Sequence, residues 1–230
     1  MLELGENKLN TKKISFISCV NNFEEYDIAI QYIHSLKVPD DYEIETIAIE
    51  NAVSLTSGYN QGMARSDAKY KVYLHQDTNI LYSNFIYHII YLFEKYPKLG
   101  MLGVIGAKTI PNGIWYHSPS IYGSVYQTPK GKGEIELLSC RSIKKDYEKV
   151  RAIDGLIMIT QYDLVWREDL IPGWHFYDVS QSLEFQKAGY NVGVPKQITP
   201  WCIHDCGIVN LNGYDDNWKK FSQHYNYYID

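Results

Sequence analysis

A carboxylate one step past a buried strand is a place where chemistry can happen, and this chain has one at Asp77. Val72-Tyr73-Leu74 is short, apolar and rich in strand formers, and it runs into His75-Gln76-Asp77, where the apolar character stops at a group able to hold a cation. In open α/β sheets, ligands bind beyond the carboxyl ends of strands. The competing reading is that Asp77 caps a helix beginning at Thr78-Asn79, since Asp, Thr and Asn all favour helix starts. A second carboxylate, Asp154, interrupts with Gly155 the apolar run over residues 150–159, and a buried carboxylate must be paired or functional. A third, Asp178, opens a helical stretch, where capping or complementing the helix dipole is the plain role. Cys202, His204 and Cys206 are zinc-ligand types, yet no second pair with zinc spacing follows, and alternate residues of an extended segment need not converge.

The elements that must position these groups alternate. Residues 14–20 form an apolar strand that stops at Asn21-Asn22; residues 24–36 carry a helical period closed by Val38-Pro39. Residues 44–49 give a second strand ending at Glu50-Asn51. The next helix, 54–66, has Gly58, Gly62 and Ala64 as small residues for close packing on a sheet, and it leads into the 72–77 strand. This β-α-β-α-β order predicts a parallel sheet with polar groups on one rim. Residues 85–96 read as an apolar helix stopped by Pro97, and 99–107 as one buried strand loosened by three glycines. Residues 108–149, rich in Gly, Pro and Tyr, read as strands and loops over the open sheet edge. A helix from the 172–180 segment to Gly189, a strand over 190–194 and a return segment over 198–204 complete the body, and the aromatic tail 210–230 reads as a docked helix or lid.

Composition narrows the classes. The chain has 230 residues, 45% hydrophobic and 21% charged, enough for a large core in one domain. A net charge of -5 argues against a broad nucleic-acid face. No stretch approaches the ~20 apolar residues of a membrane span, and residues 1–10 are too polar for a secretory signal, so a cytoplasmic location is expected, with room for peripheral membrane association. The four cysteines lack a framework spacing and are read as free thiols. Most of the 21 tyrosines are read as filling amphipathic positions rather than forming a stacking surface. No Gly-x-Gly-x-x-Gly follows the first strand and no Gly-Lys-Ser/Thr loop occurs, which disfavours dehydrogenases and P-loop enzymes.

Over residues 14–207 the order of these features resembles the family 2-like glycosyltransferases of GT-A fold, a Rossmann-like mixed-sheet architecture. Cys19-Val20-Asn21-Asn22 and Glu50-Asn51 stand where that family holds the nucleoside. Asn60-Gln61-Gly62 with Ala64-Arg65 looks like its Asn-x-Gly segment near the nucleotide. His75-Gln76-Asp77 stands where the family has Asp-x-Asp, its metal-diphosphate motif, with His75 in place of the first carboxylate. Tyr177-Asp178 matches the acidic motif that supplies the general base, with Tyr177 replacing the usual Glu; His204 matches a late metal-completing histidine, and Asp154-Gly155 the segment lining the acceptor pocket.

The resemblance implies a nucleotide-binding half over 12–107, an acceptor half over 108–207 and a tail over 208–230. It implies inverting sugar transfer from a nucleotide-sugar donor, UDP-linked by default with dTDP and GDP open, to a glycan or other hydroxyl acceptor. Asp77 and His204 would hold Mn²⁺ or Mg²⁺, with His75 and Gln76 beside the nucleotide, and Asp178 would take the acceptor's proton. Trp115, Trp174 and His175 are candidates for stacking on an acceptor sugar. A role in bacterial surface polysaccharide assembly follows by analogy alone. The altered metal motif keeps a non-catalytic nucleotide- or glycan-binding module as the main rival. A sugar nucleotidyltransferase would want a Gly-rich basic loop after the first strand, and Asn21-Asn22-Phe23-Glu24 does not supply one.

Overall fold

The computed structural model describes residues 9–129, 134–207 and 210–230. In chain order the strands and helices are β1 (Asn10–Val20), α1 (Phe23–His34), β2 (Glu43–Glu50), α2 (Leu55–Arg65), β3 (Ala68–Leu74), β4 (Thr78–Ile80), α3 (Phe85–Lys95), β5 (Leu99–Gly103) and β6 (Ile105–Ala107). There follow β7 (Ile121–Pro129), β8 (Glu136–Ser139), β9 (Tyr147–Val150), β10 (Ala152–Ile153), β11 (Ile157–Thr160), α4 (Tyr177–Lys187), β12 (Asn191–Pro195), β13 (Cys202–Gly207) and α5 (Tyr214–His224).

Seven strands form a mixed sheet in the order β2-β1-β3-β11-β5-β12-β9, with β1 parallel to both β2 and β3. A smaller sheet runs β10-β6-β7-β13-β4, with β8 alongside β7. The period-2 pattern of the central strands divides the core between the two faces of the large sheet. Ile14, Phe16, Val72 and Leu74 face the cluster that holds the buried side of α3, while Ile17 and Tyr73 face the one that holds α2, α4 and α5.

Three expectations about local structure change. Asp77 does not cap a helix: the chain after it is β4, which crosses into the smaller sheet against β13. The single strand expected over 99–107 is two strands in different sheets, parting at Val104, because β10 packs onto Gly103 and Gly106 where a side chain would meet Ile153. The interrupted run over 150–159 likewise splits, β9 and β11 staying in the large sheet and β10 joining β6. Gly189 ends α4 with φ +87°, the left-handed conformation that suits glycine.

Helix α2 sits so close to β1 that it has no room for side chains at two positions. A Cβ on Gly62 would strike Ile17 Cγ2, and one on Gly58 would strike Cys19 Sγ. Ile17 is β-branched and fully buried, so it cannot swing aside. Gly62→Val should therefore destabilise the fold by about 1–3 kcal/mol, read as a lower urea midpoint; an unchanged midpoint would show that the helix-sheet contact is looser than described.

Candidate active site

The carboxyl ends of β1, β2 and β3 open into a cleft of about 610 Å³. Its walls include Cys19 and Val20 of β1 with Asn21 just beyond, Glu50 of β2 with Asn51 just beyond, and His75, Gln76 and Asp77 beyond β3. Trp174 and His175 face them from the loop before α4. Gln76 ties two strand ends together: its Oε1 accepts from the Asn21 and Asn22 N–H groups at 2.8 and 3.0 Å, and its Nε2 donates to Asn21 Oδ1 and Glu25 Oε2. Asn51, on the cleft wall, holds φ +55°, a strained backbone for a residue with a side chain.

On the cleft floor three side chains meet. β13 pairs with β4 so that His204 lies opposite Thr78, and the Asp205 N–H donates to the Asp77 carbonyl at 2.9 Å. This register brings His204 Nε2 to 3.3 Å from Asp77 Oδ1 and 3.4 Å from His75 Nδ1; His75 Nδ1 lies 4.0 Å from Asp77 Oδ1. All three side chains are half-buried. Burial, then the charge of His204, hold His75 below the ordinary imidazole value. Burial also pulls on His204, but the contact and charge of Asp77 outweigh it and raise His204 above that value. For Asp77, burial is likewise outweighed, and His204 sets it below the usual carboxylate range.

These residues suit a divalent cation. Asp77 Oδ1 is buried with no hydrogen bond of good geometry, its nearest partner being His204 Nε2 at 3.3 Å, and a cation would satisfy it more fully. Among the described residues, His75, Asp77 and His204 are the group whose ligand atoms lie within 4.8 Å of one another. The zinc arrangement weighed for Cys202 does not form around this group, since Cys202 is buried in the core; the Cys206 side chain lies outside the described residues. Cys19, Cys140 and Cys202 are free thiols, as expected, and burial pushes Cys19 up to about 12, which leaves it protonated on the cleft wall.

Behind His75 the site continues into α4. His75 Nε2 lies 2.5 Å from the Tyr177 hydroxyl, and Asp178 follows Tyr177 at the helix start. Gly155 is where Tyr177 passes: any side chain there would collide with the phenol. Burial, then the charge of Asp154, push the Asp178 carboxyl up to about 7, against the backbone N–H groups of Val179, Asp178 and Gly155, which favour its ionised form. Asp154 itself accepts from the Leu156 N–H at 2.9 Å. Phe176, one residue before α4, holds φ +65° and turns the helix start toward this cluster.

Some sequence candidates stand elsewhere. Asn60 does not line the cleft: its Nδ2 donates to the Trp166 carbonyl at 2.9 Å and its Oδ1 accepts from the Trp166 N–H at 2.8 Å. It anchors the loop that carries Trp174 and His175. Asn22 spends its side chain capping α1, accepting from the Glu24 N–H. Trp115 sits in a short helical turn, half-buried against the two cores, away from the cleft. Residues not singled out in the sequence also matter here. Phe23, 47% exposed, stands on the cleft wall with Trp174, 46% exposed; an aromatic residue at the first position of a helix after a strand end was the available signal. Tyr214 of α5 packs on His175 and bonds the Tyr116 hydroxyl at 2.7 Å, so the tail is a docked helix.

Against known proteins, a model of the glycosyltransferase-like family matches residues 15–225. No curated protein sequence matches the chain significantly. Among solved structures, TarS 1–349 of S. aureus in complex with UDP aligns with a TM-score of 0.54 at 9% identity, over 92% of this chain and 64% of that one. The mannosyltransferase PcManGT of Pyrobaculum calidifontis, in complex with GDP-Man and Mn²⁺, aligns with a TM-score of 0.53 at 11% identity, over 96% and 65%. TarS 1–349 with UDP-GlcNAc gives 0.51 at 9% identity, over 87% and 59%. The chain thus spans about two thirds or less of the length of these structures, and at such identities the likeness is one of fold, the GT-A fold. The family match runs nearly from end to end, and the chain belongs to the glycosyltransferase-like family.

Proposed function

We propose that this protein transfers a sugar from a nucleotide-sugar donor, UDP-linked in the first instance, to an acceptor hydroxyl with inversion at the anomeric carbon. The observation that carries the proposal is the pairing of two unlike sites across Tyr177: a cation-ready cluster on the cleft floor, and a carboxyl, Asp178, poised near neutrality behind it. TarS and PcManGT, structures of the same fold, were solved with UDP, UDP-GlcNAc or GDP-Man. No helix among the described residues is long and apolar enough to cross a membrane.

In this proposal Glu50 and Asn51 hydrogen-bond the nucleoside, which lies in the cleft between Phe23 and Trp174, and the diphosphate points at Asp77. A divalent cation, Mn²⁺ or Mg²⁺, held by Asp77 and His204 would supply charge to offset the departing diphosphate. Asp178 accepts the acceptor's hydroxyl proton as that oxygen bonds the anomeric carbon. The carbon–phosphate-oxygen bond breaks with its electron pair leaving on the nucleoside diphosphate, so one displacement inverts the centre. Trp174, His175 and the Asp154-Gly155 segment bound the acceptor side.

Asp178→Asn should lower kcat by about 10²–10⁴-fold and leave UDP affinity unchanged in titration calorimetry; unaltered turnover of a productive donor-acceptor pair would remove Asp178 as the base. In the wild type the base must be ionised, so kcat/KM should rise with pH through a limb near 7. Removing the Asp154 charge with Asp154→Asn should carry that limb to lower pH. A limb that stays in place would mean Asp154 does not act on Asp178.

The same carboxyl burdens the fold. Its folded value near 7 lies above the roughly 3.9 of an unfolded Asp, so the stability it contributes is full at low pH and is lost as pH rises through 7. Asp178→Asn should accordingly raise Tm by a few degrees at pH 8 and change it little at pH 4. Equal shifts at both pH values in thermal melts would contradict a buried, ionised Asp178.

A further inference from the structure

His75 is more than a substitute beside the nucleotide. We infer that it is a third protein ligand, so that His75, Asp77 and His204 form a two-histidine, one-carboxylate site that takes up a transition-metal cation of the Mn²⁺ or Co²⁺ kind before any nucleotide arrives. The inference rests on the proposed cation role of Asp77 and His204 and extends it.

Spacing is the first support. Neighbouring ligands with bonds of about 2.1–2.2 Å lie roughly 3–3.5 Å apart on one face of a six- or four-coordinate ion. Two of the separations here, 3.3 and 3.4 Å from His204 Nε2 to Asp77 Oδ1 and His75 Nδ1, fall in that range, and the third, His75 Nδ1 to Asp77 Oδ1 at 4.0 Å, is wider and would close on an ion by a small turn of the imidazole. The second support is the other nitrogen of His75. A metal-bound imidazole characteristically gives its remaining N–H to an oxygen partner, which fixes the tautomer and aims the bare nitrogen. Tyr177, packed against Gly155, puts its hydroxyl oxygen 2.5 Å from His75 Nε2; in the tautomer in which Nε2–H donates to that oxygen, Nδ1 is bare toward Asp77 and His204. The third is Asp77 Oδ1, buried without a hydrogen bond between the two imidazoles.

Two consequences separate this site from one carboxylate and one histidine. Three protein ligands hold an ion without the help of the nucleotide's phosphates, whereas a poorer set assembles only in the ternary complex. Two imidazoles also shift preference away from Mg²⁺, which takes oxygen ligands and keeps its waters, toward metals that accept nitrogen.

The test uses the untagged chain and Mn²⁺ alone. Calorimetry without nucleotide should show one Mn²⁺ per chain and no matching heat with Mg²⁺, and pulsed electron paramagnetic resonance of the bound Mn²⁺ should show two imidazole nitrogens. His75→Ala should weaken Mn²⁺ by roughly tenfold or more and leave one nitrogen, with Mn²⁺ still bound once UDP is added. Tyr177→Phe, which keeps the ring, should weaken Mn²⁺ without changing the nitrogen count. A wild-type site that takes Mn²⁺ only together with UDP, or shows a single nitrogen, overturns the inference while leaving the Asp77–His204 reading in place. UDP binding that ignores Mn²⁺ altogether, with no Mn²⁺ bound in any condition, ends both.

Discussion

Leu74 is the last residue of β3 in the large sheet and Thr78 the first of β4 in the small one, and the three residues between them must cross from one to the other. Neither sheet's ladder claims their side chains, so polar groups can stand there at little cost to strand pairing. The crossing is pinned from both sides: the His75 N–H donates to the Leu156 carbonyl at 3.1 Å, and the Asp77 carbonyl accepts from the Asp205 N–H. Because β13 is held in register against β4, His204 has one place to go, beside Asp77. A slip of one residue would turn His204 to the other face of its sheet and dissolve the cluster.

Groups near this crossing are expensive to keep. Tyr59, Tyr73, Trp166 and Tyr177 form an aromatic wall with ring centroids 4.8–6.5 Å apart, and Tyr59 and Trp166 leave buried polar atoms without partners there. Tyr177 is buried against this wall, and the burial of the neighbouring Asp178, with the charge of Asp154, drives its carboxyl up. Asn51 and Phe176 add backbone strain on either side of the cleft. Stability is given up around the cleft that the proposed chemistry would use, and the close-packed sheet and its helices offset the loss.

How much of this could be read from residues alone depends on where the information sits. The strand ends at Asn21, Glu50 and Asp77 were legible because apolar runs stop abruptly there, and parallel pairing then puts all three on one rim. The fate of Thr78-Asn79 was not legible: the same residues suit a helix start and a short strand, and only the distant β13 decides. Asn60 misled for a related reason. A polar residue beside a glycine on a sheet-facing helix could serve a ligand or a loop, and the loop that claims it lies over a hundred positions away, at Trp166. Phe23 carries only a faint mark, a single aromatic residue at the first position of a helix after a strand end, which the same position in a purely structural helix can also hold.

The change from carboxylate to imidazole at position 75 alters the charge the cleft presents. A divalent ion between two carboxylates is neutralised before any phosphate approaches. With His75, Asp77 and His204 as its ligands, only one of a divalent ion's two charges would be met by the groups that hold it, and net positive charge would be left facing the cleft. In a half-buried site that residual charge acts on a diphosphate more strongly than it would in water. The charge of Asp154 reaches both histidines as well as Asp178, so it offsets part of that excess, while Asp178 stands next to Tyr177 at the start of α4. In the proposed reaction, an imidazole at 75 would thus keep the ion's charge toward the leaving diphosphate, with Tyr177 between His75 and the carboxyl that would meet the attacking hydroxyl.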